Sequence, residues 1–220
     1  MGSLQKNIRD KGYSFLAKHR TGDFGPNVVA EFGTIADFCR DRPVHELTPR
    51  SREQSTPNTY SGLYGFDDFP LHTDFAQWTR PPRYLLLRCI NGFSNVKTRF
   101  VDAYRAVDLV GESILFRGLV RPRRMVCASM PLLRLVSRPA PDTQLVRWDR
   151  EYLRPASKAG RIGLQAFADA LSGLEVINIS LSRPGDTLII DNWRMLHGRS
   201  AVPSTSAGRV IQRSYLETLN

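Results

Sequence analysis

The segment Phe69-Pro70-Leu71-His72-Thr73-Asp74 sets an imidazole and a carboxylate two residues apart. On an extended strand, residues i and i+2 point to the same side, so both side chains can reach one metal ion. The chain has only four histidines. Of the other three, His197 stands out because it follows a strand-like stretch, residues 187–191, in the block Asp191-Asn192-Trp193-Arg194-Met195-Leu196-His197-Gly198-Arg199. His72, Asp74 and His197 are therefore the expected metal ligands and the catalytic centre. Two imidazoles and one carboxylate on one face of an octahedron leave three adjacent positions open, the arrangement used by non-haem Fe(II) oxygenases. Two of those positions can chelate a 2-oxo acid and the third can take O2. His19 and His45 lack ligand-like neighbours and are assigned no role.

A 2-oxo diacid also needs a cation for its far carboxylate. Arginine suits this because its planar fork bonds carboxylate oxygens in pairs. In Arg209-Val210-Ile211-Gln212-Arg213, positions four apart on a strand face one side, so both guanidinium groups can point into a barrel. Two inward arginines are costly without an anion to meet them. On an edge strand they would simply be solvated, but their register with His197 argues for the inward reading.

These residues give the sequence a specific resemblance. It resembles the TauD/TfdA-type, clavaminate-synthase-like branch of the Fe(II)/2-oxoglutarate dioxygenases. That pattern is His-x-Asp, a Thr or Ser about two dozen residues later, a distal His, and an Arg about a dozen residues beyond it. Here the positions are His72, Asp74, Thr98, His197 and Arg209. The likeness also runs through Pro81-Pro82-Arg83-Tyr84-Leu85 and Pro184-Gly185-Asp186, covering most of the chain from Tyr60 onward. The resemblance implies Fe(II), O2 and 2-oxoglutarate, with Thr98 and Arg209 holding the distal carboxylate and Arg213 lying near the C1 carboxylate. It gives Asn192, Trp193 and Arg199 supporting positions around the ligands. The implied reaction is hydroxylation, desaturation or cyclisation of an unactivated C–H bond in a small molecule, as in secondary metabolism, with succinate and CO2 as co-products. Retention of Asp74 favours hydroxylation over halogenation, because related halogenases replace that carboxylate with a small residue. The implied fold is a double-stranded β-helix, or jelly roll, with the ligands at the barrel mouth.

The elements that must position these residues read independently as mainly β with flanking helices. Short stretches with strand character cover residues 69–75, 84–90, 97–101, 124–130, 144–150, 176–182, 187–191 and 209–217, which suggests a barrel or sandwich. Residues 161–174 place Ile162, Leu164, Phe167, Ala168, Leu171 and Leu174 near one helical face, and 101–110 has mixed spacing. The expected organisation is one domain over 1–220, with 1–58 as an N-terminal lead-in and turn-rich loop and 59–220 as the jelly-roll core. The interval between Thr98 and His197 is shorter than is common in the family, so a reduced lid is expected. Tyr60, Tyr64, Phe66 and Trp78 flank the His72 strand and are read as packing rather than pocket wall.

Composition bounds the rest. The chain is 41% hydrophobic and 24% charged, which fits a globular domain rather than a disordered one. No apolar run approaches the length of a membrane span, and residues 1–10 lack the apolar core of a signal peptide. Cys39, Cys89 and Cys127 are too few and too far apart for a disulfide framework, so reduced thiols and a cytoplasmic location are expected. The net charge of +10 is compatible with a nucleic acid, an anionic small molecule, or solubility alone. Because the basic stretches 117–124 and 134–154 lack the regular aromatic interleaving of a single-strand groove, a small-molecule substrate is expected, with an anionic one in view. Two alternatives stand beside this. One is an AlkB-like oxidative demethylase of nucleic acid, whose paired arginines lie six rather than four apart; the other is a non-catalytic jelly-roll binding module.

Overall fold

Tyr84-Leu85-Leu86-Leu87-Arg88-Cys89-Ile90-Asn91 is apolar on both faces, the pattern of a strand covered from both sides. A computed structural model, which describes residues 2–39 and 41–220, places Tyr84–Asn91 at the centre of the larger sheet. It lies between Thr187–Asp191 and Val210–Leu219, antiparallel to each. Leu85 and Leu87 join an inner core with Phe100, Met195 and Ile211. Leu86 faces the other way and packs with Leu4, Ile8, Val28 and Val29 of the N-terminal helices. Each such leucine contributes about 1.5–3 kcal/mol by burial, so this strand is anchored from two layers at once.

Among the described residues the larger sheet has six strands, completed by Tyr13–Leu16, Gly33–Ile35 and His45–Leu47. The stretch 1–58, read from sequence as a lead-in and loop, thus contributes three strands to the sheet. The second sheet has four strands, in the order Ile177–Ile179, Thr98–Asp102, Met195–Arg199, Phe69–His72. The two antiparallel sheets enclose the inner core, which is the jelly-roll architecture expected. No helix among the described residues is long and apolar enough to cross a membrane.

Between the strands Thr98–Asp102 and Met195–Arg199, the chain builds a helical annex with its own core. Ala103–Val110, Glu112–Arg117 and Lys158–Ser172 bring together Ala106, Val107, Leu115 and Phe167. The mixed stretch 101–110 resolves into the end of a strand and a helix, because the Asp102 carboxylate accepts the Tyr104 N–H at 3.1 Å and caps the helix start. The long helix starts in the same way, with Ser157 accepting from the Gly160 N–H at 2.9 Å.

One expected strand is absent. Residues 124–130 form a tight turn with a single bridge between Val126 and Ser129, and Cys127 and Ala128 take positive φ values of 47° and 58°. The run is rich in apolar residues but has no sheet edge to pair with and no core to face, and Met125 is left 69% exposed. Conversely, His197 lies within a strand, Met195–Arg199, rather than after one.

Candidate metal centre

Strand pairing sets His197 directly opposite His72, so the two imidazoles project from neighbouring strands with ring centroids 4.7 Å apart. Asp74 follows two residues after His72, and the chain then turns at Phe75 with φ of 56°. His72 Nε2 lies 3.2 Å from Asp74 Oδ1 and His197 Nε2 lies 3.5 Å from Asp74 Oδ2. Among the described residues, these three form a cluster whose ligand atoms all lie within 4.8 Å of one another.

The donor set fits a divalent cation for a specific reason. His72 Nδ1 lies 2.9 Å from the Pro70 carbonyl; a carbonyl can only accept, so Nδ1 carries the hydrogen. In neutral His72 the Nε2 lone pair then meets a carboxylate oxygen, two acceptors face to face, unless a proton or a metal stands between them. Burial disfavours charge on all three groups. For Asp74 this is outweighed by His197 and His72, which hold its carboxyl well below the usual range. For His72 the hydrogen bond and charge of Asp74 outweigh burial and raise it. For His197 burial prevails over Asp74 and lowers it. The facing His72 Nε2 and Asp74 Oδ1 need either a proton or a cation between them, and a metal ion would take the place of that proton.

The surroundings hold Asp74 closely. Asn192 clamps its backbone from both sides: the Asp74 N–H donates to Asn192 Oδ1 at 2.8 Å, and Asn192 Nδ2 donates to the Asp74 carbonyl at 3.1 Å and to Pro82 O at 2.9 Å. Trp193 Nε1 donates to Pro81 O at 3.0 Å. From the opposite sheet, Tyr215 Oη donates to Asp74 Oδ2 at 2.7 Å.

The triad opens into a cavity of about 440 Å³ that is also lined by Thr98, Arg209 and Arg213. All the site residues expected from sequence are therefore brought to one space. Ile211, Arg213 and Tyr215 reach it at every second position of the strand Val210–Leu219, and Arg209, expected within a strand, reaches it from just before the strand, whose pairing shifts register between Val210 and Ile211. Gln212 points the other way and donates to Phe24 O at 2.9 Å. Arg209 is 6% exposed and its Nε has no partner; burial lowers it to about 10. Arg213 Nε is likewise unpartnered, with the guanidinium 5.2 Å from the Tyr215 ring. Arg199 also lines the cavity but is occupied, donating to Gly65 O and Asp67 O, both at 2.9 Å, across the Phe69 ring.

Sequence reasoning passed over part of the wall. Thr59 caps the short helix Tyr60–Tyr64 through the Gly62 N–H, which lays the Tyr60 ring on His72 at 4.1 Å. The expectation of plain packing fails for Tyr60, since it lines the cavity. It holds for Trp78, which packs on Phe38 and Phe75. Tyr60 Oη donates to Asp149 Oδ2 at 3.0 Å, and Asp149 Oδ1 accepts the N–H groups of Glu151 and Tyr152 at 2.7 and 2.8 Å. Asp149 is only 2% exposed, and burial raises its carboxyl. Gln77 also lines the cavity, and its Oε1 is buried without a partner. Nothing local marks Asp149 or Tyr215 in the sequence, because their partners lie 89 and 141 residues away.

No family model matches the chain. In sequence it is similar to clavaminate synthase 2 of Streptomyces clavuligerus, 26% identical over 166 residues. That stretch is 67% of this chain and 49% of the relative, so the match spans about half the length of that protein. In structure it is similar to PvcB of Pseudomonas aeruginosa, described as an Fe, alpha-ketoglutarate dependent oxygenase from an isonitrile synthetic pathway. The TM-score is 0.70 at 19% identity, over 98% of this chain and 79% of that one. It is also similar to an asparagine oxygenase solved with Fe(II), 3-hydroxyasparagine and succinate, with TM-score 0.69 and 15% identity over 98% and 78% of the two chains. A third is the non-heme iron oxygenase OrfP with Fe and alpha-ketoglutaric acid, with TM-score 0.67 and 17% identity over 98% and 80%. These likenesses bear out the jelly-roll fold and the resemblance to clavaminate-synthase-like oxygenases.

Proposed function

We propose that this chain is an Fe(II)- and 2-oxoglutarate-dependent oxygenase that hydroxylates an unactivated C–H bond of a small polar molecule, with succinate and CO2 as co-products. The observation that carries this reading is the convergence, in one cavity, of a His-Asp-His donor set with a buried, unpartnered arginine. His72, Asp74 and His197 would hold Fe(II), which when bound supplies the centre at which O2 is reduced as 2-oxoglutarate is decarboxylated.

The chain's own residues do the rest. Arg209, with Thr98 in the lining of the same cavity, binds the distal carboxylate of the co-substrate, and in this dry setting a charge-assisted pair is stronger than one in water. Arg213 remains free for a second anionic group, whether the C1 carboxylate or one on the substrate. Phe75, Leu85, Leu87 and Ile211 form the apolar part of the wall and keep water from the reacting atoms. Gln77 Oε1 and the remaining acceptor capacity of Asp149 suit a substrate bearing N–H groups. A small molecule with both an anionic group and an amine fits this wall, in keeping with the asparagine and arginine derivatives bound by the structural neighbours.

The test is aerobic incubation with Fe(II), 2-oxoglutarate and a panel of amino acids and their derivatives. Metal-dependent succinate together with a product heavier by one oxygen is the expected result. A wild-type protein that binds Fe(II) and 2-oxoglutarate but forms no succinate would instead be a binding module. No observation favours a nucleic-acid substrate, and part of the positive charge is used internally: Arg88, Arg147, Arg194 and Arg199 all donate to backbone carbonyls.

A further inference from the structure

Tyr215 is 1% exposed, and its ring is wedged against Phe75 at 5.2 Å and Phe38 at 5.7 Å. Its hydroxyl donates to Asp74 Oδ2 at 2.7 Å. This contact crosses between the two sides of the barrel: Tyr215 comes from the larger sheet, whereas Asp74 follows a strand of the smaller one. The backbone of Asp74 is held independently by Asn192, so the backbone clamp and the carboxylate contact are separate devices. What the Tyr215 hydroxyl adds is control over one of the two carboxylate oxygens.

That choice matters for a metal centre. A carboxylate can bind a divalent cation through one oxygen or through both, and the second mode takes an additional coordination position. A facial triad works only if three adjacent positions stay open. Each carboxylate oxygen faces one imidazole, Oδ1 at 3.2 Å from His72 Nε2 and Oδ2 at 3.5 Å from His197 Nε2; the phenol donates to Oδ2 alone and so leaves Oδ1 as the better donor. We propose that Tyr215 is a positioning residue that confines Asp74 to one-oxygen coordination, so that the position a second oxygen would occupy remains open for the co-substrate. This inference rests on the Fe(II)/2-oxoglutarate reading and assigns a role within it to a residue outside the ligand set.

Tyr215→Phe removes the hydroxyl and keeps the ring among its aromatic neighbours. Under anaerobic conditions, Fe(II) affinity, 2-oxoglutarate affinity of the Fe(II)-loaded protein, and the visible charge-transfer band of the chelated co-substrate are measured for wild type and variant. The expected result is at least a ten-fold loss of 2-oxoglutarate affinity in the Fe(II)-loaded variant and a weakened or shifted band. Thermal stability of the metal-free variant and its far-ultraviolet dichroism should stay close to wild type. Equal affinity and an unchanged band would overturn the role of Tyr215 while leaving the oxygenase reading intact. Failure of wild type itself to bind 2-oxoglutarate in a metal-dependent way would overturn both. Should the variant not fold, a crystal structure of Mn(II)-loaded wild type decides. One Asp74 oxygen on the metal with the other on Tyr215 Oη supports the proposal, and both oxygens on the metal refute it.

Discussion

Two sets of groups that line the cavity are built on opposite principles. Around the triad most groups are committed, His72 to Pro70 and Asp74, Asp74 to Tyr215 and Asn192, and Asn192 to Pro82, with His197 Nδ1 the exception. Arg209 and Arg213 line the same cavity, each with an Nε that has no hydrogen-bond partner. Polar groups in a protein interior are normally satisfied, so the contrast is informative. The first set is organised in advance around a small cation, and the arginines are left unsatisfied until an anion arrives.

Asp74→Ala should break the comparison most severely. It removes the only carboxylate of the donor set, and metal-dependent succinate formation should fall to background in a coupled assay. Persistence of turnover would mean that the triad is not the catalytic centre.

Next in size is Arg209→Met. Wild type should be stabilised by 2-oxoglutarate by about 2.7 kcal/mol at a hundred times its Kd, read as a rise in Tm, and the variant should lose most of that rise. KM for 2-oxoglutarate should increase at least ten-fold. The metal-free variant should match or exceed wild type in stability, because a buried unpaired cation has been replaced by an apolar side chain of similar length. A clear drop in stability would show that Arg209 already has a structural partner.

Asn192→Ala tests the committed groups from outside the ligand set. Outer partners of ligands typically contribute 10–100-fold in metal affinity or activity, so a loss of about that size in a Mn(II) titration is expected. Stability should fall by about 1–3 kcal/mol from the unsatisfied Asp74 and Pro82 groups. An unaltered Mn(II) affinity would mean that the clamp serves folding alone.

The smallest effect is expected from Tyr60→Phe, which keeps the ring on His72 but removes the hydroxyl that Asp149 accepts. A few-fold fall in kcat/KM carried by the substrate KM, with the 2-oxoglutarate KM unchanged, would place Asp149 on the substrate side. A change in the 2-oxoglutarate KM instead would move it to the co-substrate.

The sequence by itself determined whatever depends on short-range periodicity. The two-residue and four-residue spacings marked His72 with Asp74 and Arg209 with Arg213 as pairs that share one space, although the strand ends at His72 with Asp74 in the turn beyond it, and Arg209 sits just before its strand. The stretch 84–90 already read as a strand, and its coverage on both faces came with the two cores that enclose it. Periodicity misled where no partner was near, as in the apolar run 124–130, which has no edge to pair with and turns instead, and it missed the short strands within 1–58 that long-range pairing creates. What the tertiary structure alone decided is who meets whom across the fold. That Tyr215 reaches Asp74, that Tyr60 and Asp149 form one wall, and that Arg88 and Arg147 spend their charge on carbonyls rather than on a surface follow from contacts between residues 65 to 141 positions apart. A side chain's partner in a packed interior is set by which layers face each other, and no local pattern encodes that.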